Sequence, residues 1–405
     1  MKGIVLAAGL GSRLNPLTAT RPKHLLPLAG RPILEHVIMA LKEAGVEEIG
    51  LVVHYFKEKI MKILGGGENY GVKLTYIDQG SAKGTAHAIM AAEKYVGNER
   101  FIVAYGDVTA RASIIKQALK LHDAAGAAAT MISVEVEDPW NYGVLSIDQD
   151  GFLIKVVEKP RKGEEPSNLI NAGIYVLEGG KVFKLIGQTP VSPRGEIEFT
   201  DTLQLLVNRG ERVAVLRTSR EWWFDIGRPW DLLDANRAML RELAESEGWK
   251  GGVKVDASAK LEKGVKLLPP VVIGGKCTIK EGSVIGPYTV ICDEVEVGVK
   301  SRIENSVILG GTIIENSCKI SHSIIGGNCI IESEVEFQSK NPDGSNVYMT
   351  IKGVRVNSGR KILGSVVGDL SFVGRGAIIA PGTSIFPRSV VPRRRLVLGD
   401  VSYSP

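Results

Sequence analysis

The stretch Leu6-Ala7-Ala8-Gly9-Leu10-Gly11-Ser12-Arg13-Leu14 runs on through Pro16-Leu17-Thr18 to Arg21-Pro22-Lys23. Glycines at 9 and 11 let backbone amides approach an anion with no Cβ in the way. Arg13 and Lys23 bring two positive charges to the same loop. Together these are the parts of a triphosphate cradle, in which fixed dipoles and cations face phosphate oxygens. A Gly-x-Gly pair alone also serves as an ordinary strand-to-helix turn. The two cations around Pro16-Leu17-Thr18 set this loop apart. It is not the nicotinamide fingerprint, whose third glycine would fall at 14, where Leu14 stands. No two of the six histidines sit at metal-ligand spacing, which argues against zinc.

These residues need a scaffold, and the first 230 residues describe one. Lys2 to Ala7 reads as a buried strand leading into the glycine loop. Ile33 to Ala44 carries apolar residues at helical spacing, and Ile49 to Val53 is the next strand. Leu74 to Ile77, Phe101 to Tyr105 and Thr130 to Val136 continue the series, with helices expected at 84–95 and 112–124. Such alternation implies an α/β fold, a Rossmann-like, mostly parallel sheet covered by helices. Ligands of these sheets bind at the carboxyl ends of the strands, so the loops after Ala7 and Tyr105 are the first places to look.

From Val255 the period changes. Aliphatic residues recur every six positions, at Val255, Leu261, Leu267, Ile273, Ile279, Ile285, Ile291, Val297, Ile303 and Leu309. The run slips by one residue twice, resumes through Ile325, Ile331 and Phe337, and breaks for a polar excursion. It returns at Val367, Val373, Ile379, Ile385 and Val391. This is the hexapeptide signature of a left-handed parallel β-helix, whose stacked aliphatics fill the axis of a triangular coil. Between the halves, Trp230 to Trp249 has helical spacing, with Asp231 placed to cap its start. The expected domains are 1–229, a linker helix over 230–252, and the β-helix over 253–405.

Composition excludes several classes. With 44% apolar and 23% charged residues in 405, disorder is not the main state. A net charge of +5, with Arg393-Arg394-Arg395 the only dense basic cluster, is a poor nucleic-acid footprint. The longest uncharged small-apolar stretch, Ala124 to Val134, is too short to span a membrane. The apolar start is followed by Arg13 and polar residues, leaving no cleavable signal pattern. Cys277, Cys292, Cys318 and Cys329 show no CxxC spacing and read as reduced thiols of a cytoplasmic protein.

The run Gly9-x-Gly11-Ser12-Arg13-Leu14-x-Pro16-Leu17-Thr18-x-x-Arg21-Pro22-Lys23 resembles the signature loop of the sugar-1-phosphate nucleotidyltransferases, the nucleotide-sugar pyrophosphorylases. The likeness continues in family order. Gln79-Gly80 with Gly84-Thr85-Ala86-His87-Ala88 is similar to the loop that reads uracil or thymine. Tyr105-Gly106-Asp107 and Trp223-Phe224-Asp225-Ile226-Gly227 resemble the two metal-aspartate segments. Tyr142-Gly143-Val144, Glu158-Lys159-Pro160 and Asn171-Ala172-Gly173 resemble the sugar-binding elements, and Glu196 to Asp201 fits the segment after them. The C-terminal coil is a common appendage of the family.

The resemblance implies a nucleotidyl transfer. A sugar 1-phosphate oxygen attacks the α-phosphorus of UTP or dTTP, and pyrophosphate leaves. The attacking phosphate is already ionised, so the protein supplies alignment and charge neutralisation rather than a base. Arg13 and Lys23 are the implied catalytic residues. Leu6, Ala8, Gly9, Gly11, Ser12, Gln79, Gly84 and Thr85 are the implied nucleotide contacts. Gly143, Glu158, Lys159 and Asn171 would hold the sugar phosphate, glucose or N-acetylglucosamine 1-phosphate. Asp107 and Asp225 would hold Mg²⁺, a hard ion suited to carboxylate and phosphate oxygens. Read without the family, Asp107 and Asp225 are also ordinary cap residues, and Glu158-Lys159 a solvated pair. An inactive nucleotide-sugar-binding regulatory subunit is the non-enzymatic alternative.

For the coil, two readings compete. It resembles the archaeal bifunctional type, in which the β-helix acetylates glucosamine 1-phosphate using acetyl-CoA. The histidine motif of that activity is absent, however. Spacing places Asn316-Ser317-Cys318-Lys319 where it should stand, and Asn316 cannot act as a base. His322, the only histidine of the domain, lies six residues along. The competing reading is a structural module whose flat faces assemble the chain into a homotrimer or a dimer of trimers, and an allosteric ligand site on the coil stays open beside both.

Overall fold

A computed structural model describes residues 1–81 and 83–402. Their contacts divide the chain into one unit of Met1–Leu10 with Ile33–Asp225, and a second of Gly11–Pro32 with Ile226 onward.

The first unit is built on a nine-stranded sheet. Lys2–Ala7 runs parallel to Glu48–Val53 on one side and to Arg100–Tyr105 on the other. Lys73–Asp78 extends the parallel set beyond Glu48–Val53. Past Arg100–Tyr105 the sheet turns antiparallel through Leu169–Glu178, which meets Ala129–Glu135 and Gly143–Ile147. Ile4, Val5, Leu6 and Ala7 are all buried, as a strand covered on both faces requires. Helices at Ile33–Glu43 and Ala112–Ala125 sit where the apolar spacing put them. The helix expected over 84–95 is split into Thr85–Met90 and Glu93–Val96. Between the pieces the Ala92 amide donates to the Ile89 carbonyl at 3.0 Å, a tighter turn than an α-helix makes.

In the second unit a helix spans Pro229–Ser246. Asp231 does not cap it from outside, as expected, but lies within its first turn. Pro229 opens the helix because its missing N–H would be unsatisfied there in any case. The coil follows as three seven-stranded parallel sheets of two- and three-residue strands, one for each face of a left-handed β-helix. Ile279, Ile285, Ile291, Val297 and Ile303 are fully buried on its axis. The two one-residue slips are now located. Ile273 pairs with Ile291 eighteen residues on, but Ile291 pairs with Ile308 and Ile308 with Ile325 after seventeen. Ile308 rather than Leu309 therefore belongs to the stack. The polar excursion holds a hairpin, Tyr348–Ile351 with Val354–Asn357, while the ladder passes directly from Ile325 to Val367.

Candidate active site

In the first unit the register Leu6↔Tyr105 ends two neighbouring parallel strands at one edge. The loops that follow leave side by side, and the Gly106 amide donates to the Leu6 carbonyl at 2.9 Å. Leu6, Ala8 and Asp107 are buried there, and Gly9 is exposed. Asp107 then enters a two-stranded ladder, Val108–Ala110 against Trp223–Asp225, in which Asp225 faces Val108. The register thus brings Asp107 and Asp225, far apart in sequence, to neighbouring positions. The ladder is held from behind, where the Trp223 indole N–H donates to the Ala172 carbonyl at 2.9 Å. Two carboxylates offer a hard oxygen donor set, which fits Mg²⁺, an ion that keeps waters and takes phosphate oxygens. Among the described residues there is no group of three or more His, Cys, Asp or Glu able to hold a metal.

Gln79 follows the Lys73–Asp78 strand and its amide N–H donates to the Val53 carbonyl at 2.9 Å. Its buried side chain turns to the Gly84 carbonyl at 3.4 Å and to His87 Nδ1 at 3.1 Å. Gly84 has φ +107, and a Cβ there would lie 2.4 Å from the Ile197 carbonyl oxygen. Only glycine fits. Ile197 also donates to the Lys83 carbonyl at 2.8 Å, and the Phe199 amide donates to Thr85 Oγ1 at 2.9 Å. The loop carrying Gln79, Gly84 and Thr85 is therefore hooked onto the Glu196–Phe199 segment, a partnership that no local spacing could reveal.

Gly143 pairs with Glu158 across an antiparallel ladder, and a Cβ at 143 would lie 2.9 Å from Glu158 Oε2. Thr200 Oγ1 donates to that oxygen at 3.1 Å, and Lys159 Nζ lies 3.7 Å from Oε1. Asn171 opens a bulge, its Oδ1 accepting from the Gly173 amide at 3.0 Å and the Tyr175 hydroxyl at 2.8 Å. The Tyr175 hydroxyl lies 3.2 Å from that of Tyr105, joining this floor to the strand that leads to Asp107. Burial holds both phenols above their usual pKa.

Glu198 was not singled out by sequence reading. It is buried, pairs with Arg194, and has its pKa pushed up to about 7 by burial and then by the charge of Glu158. Asp201 is raised for the same two reasons. The signal that could have found it was the likeness of the whole Glu196 to Asp201 run to the family segment, which does not say which of its acids is covered.

In the second unit Gly11 has φ +65 and sits against Thr18 and Lys23, with a Cβ only 3.0 Å from the Lys23 Cβ. Thr18 Oγ1 donates to the Gly11 carbonyl at 2.9 Å. Ser12–Leu14 and Lys23–Leu25 are single 3₁₀ turns, so the signature folds into a tight knot rather than opening a helix. A Cβ at Gly227 would lie 2.9 Å from the Arg13 guanidinium, so the end of that side chain rests against this glycine. Arg21 is committed elsewhere. Its guanidinium binds Asp369 of the coil at 2.6 Å, as does the Thr20 hydroxyl, and the Gly327 amide donates to the other carboxylate oxygen at 2.8 Å.

A family model described as nucleotidyl transferase matches residues 2–242. The chain belongs to the nucleotidyl transferase family. A second model, described as the GMPPB C-terminal domain, matches residues 267–363 of this nucleotidyltransferase. It is 36% identical over 413 residues to a bifunctional protein GlmU of Methanococcus vannielii, covering 99% of this chain and 96% of the relative. It is 32% identical to a bifunctional sugar-1-phosphate nucleotidylyltransferase/acetyltransferase of Sulfurisphaera tokodaii, over 100% of this chain and 98% of that one. Among solved structures it resembles a UDP-glucose pyrophosphorylase complexed with UDP-glucose, at 26% identity and a TM-score of 0.53, over 60% of this chain and 98% of that one.

Proposed function

We propose that the enzyme transfers the uridylyl or thymidylyl group of UTP or dTTP to glucose 1-phosphate or N-acetylglucosamine 1-phosphate, releasing pyrophosphate. The observation that carries the reading is the strand-end register that places Asp107 beside Asp225 and the Leu6–Gly9 turn. The backbone amides around Ala8, Gly9, Gly11 and Ser12 line the phosphates, with the Leu6 strand end beneath them. Gln79, Gly84 and Thr85 receive the pyrimidine. Arg13 grips the triphosphate and the departing pyrophosphate, and Lys23 neutralises charge near the reacting phosphorus. Lys159 orients the sugar phosphate, while Glu158, Asn171 and the Gly143 amide hold the sugar. Asp107 and Asp225 would hold Mg²⁺, which when bound neutralises charge on the phosphates. A pyrophosphate-release assay across four nucleoside triphosphates and several sugar phosphates tests the reading. Turnover is expected with a pyrimidine triphosphate, and no turnover with any pair would refute it.

The chain is further proposed to be a homotrimer through one face of the coil. Ile313, Ile330, Phe372 and Val390 form one outward column, in register from strand to strand. Ile313, Ile330 and Val390 are 41%, 42% and 64% exposed, an apolar stripe suited to self-association. A monomer by light scattering would refute this. No helix of the described residues is long and apolar enough to cross a membrane. The four free cysteines suit a reducing, cytoplasmic setting.

The relatives' names favour a second reading, acetylation of glucosamine 1-phosphate by the coil with acetyl-CoA. Asn316 does not support it, because its Oδ1 accepts from the Val299 amide at 2.8 Å and serves as a turn brace. Release of free CoA in the presence of both substrates would establish this activity.

A further inference from the structure

A cleft of about 260 Å³ opens within the second unit, lined by none of the residues proposed for nucleotidyl transfer. Three stretches of chain converge on it. The Pro229–Ser246 helix contributes one face, with Trp230, Asp234 and Arg237 at helical spacing. The coil contributes a column of corner residues, Tyr288, Asn305 and His322, seventeen residues apart where the repeat is shortened. The last wall is the return from the excursion, Arg360 to Leu363.

Charge in this cleft is unbalanced. Arg237 donates to the neutral Asn305 amide oxygen at 2.7 Å and lies over the Tyr288 ring. Arg241, at the rim, donates to the Tyr288 hydroxyl at 2.9 Å. Arg360 pairs with Asp234, the only carboxylate among the lining residues. Lys361 is exposed and, among the described residues, has no carboxylate partner. Three lining cations, Arg237, Arg360 and Lys361, thus meet one lining carboxylate, with Glu304 behind His322 the other acidic group near the cleft. Gathering like charges in a concavity costs free energy unless an anion joins them, and guanidinium forks suit phosphate oxygens in particular. The rings of Trp230 and Tyr288 and the side chains of Leu233 and Ile362 supply an apolar surface beside the charge. The volume suits one sugar ring with its phosphate and is too small for a dinucleotide-sized ligand.

We propose that this cleft is a binding site for a small phosphate ester. Its phosphate is held by Arg237, Arg360 and Lys361, and its carbon skeleton lies against Trp230 and Tyr288. The proposal does not depend on the catalytic assignment. Glucose 6-phosphate is the probe, because it carries the phosphate ester yet lacks the 1-phosphate that nucleotidyl transfer needs. Calorimetric titration of the full-length protein should give one saturable site per chain, and glucose without phosphate should give none. Lys361→Gln, at an exposed position, should weaken binding about tenfold, and Arg237→Gln with Lys361→Gln should abolish it. Thermal melting without ligand shows whether each variant is folded, and Lys361→Gln alone keeps the test valid if the double variant is not. Absence of binding at millimolar probe would overturn the proposal. Undiminished affinity in a folded Lys361→Gln variant would do the same, since the probe would then sit elsewhere.

Discussion

Replacing Asp369 by alanine removes the anchor that ties the signature loop to the coil. The carboxylate accepts from Arg21 and Thr20 at 2.6 Å each and from the Gly327 amide at 2.8 Å. The Asp369 side chain is 10% exposed and that of Arg21 25%, so water can replace part of what is lost. A hydrogen bond to a charged group contributes about 1.5–3 kcal/mol, and leaving Arg21 half-buried without its partner brings the local cost to about 2–3 kcal/mol. At about 1.4 kcal/mol per factor of ten, the released form of the loop gains roughly 30- to 140-fold in population. Lys23 lies two residues beyond Arg21, and loss of its alignment should lower kcat/KM by roughly 10- to 100-fold. Steady-state pyrophosphate release with each substrate varied in turn is the assay, and the KM for the triphosphate should rise more than that for the sugar phosphate. Asp369→Asn keeps one acceptor oxygen, enough for the Gly327 amide or for Thr20 and Arg21 but not for both sets, and should fall between wild type and Asp369→Ala. A folded Asp369→Ala variant with unchanged kcat and KM would refute this coupling.

Other expectations follow from the same geometry. Asp107→Ala should cost several kcal/mol of transition-state stabilisation, seen as a collapse of kcat at saturating Mg²⁺, whereas Glu158→Ala should chiefly raise the KM for the sugar phosphate. Arg13→Lys should lose activity in the same assay, because an ammonium cannot grip two phosphate oxygens as a guanidinium does. Glu198, held at about 7 when folded but near 4.3 when unfolded, favours the folded state most below the lower value. That contribution is lost as pH rises through about 7. Melting temperatures between pH 5 and 8 should therefore fall toward the alkaline end, and Glu198→Gln should flatten the slope.

The sequence revealed what short-range pattern controls. The Lys2–Ala7 strand, the glycine loop and the six-residue period all stand in the structure because each is dictated by neighbours a few residues away. Ile308 displaced Leu309 in the stack because a coil can shorten by one residue at a corner without disturbing its aliphatic ladder. Asp231 looked like a cap because the spacing of the helix does not show that Pro229 already begins it. The hook of Gly84 on Ile197, the burial of Glu198 and the grip of Asp369 on Arg21 were illegible for another reason. Each joins residues more than a hundred positions apart, or depends on how deeply a segment is covered, and neither leaves a period in the sequence.

The most direct test of nucleotidyl transfer follows the α-phosphorus itself. UTP or dTTP labelled at that atom is incubated with the sugar 1-phosphate, Mg²⁺ and the full-length protein, and the products are separated. The label should appear in a nucleotide sugar in step with unlabelled pyrophosphate, and Asp107→Ala should abolish both. Label that stays in the triphosphate, or that is released as the nucleoside monophosphate, would contradict the account.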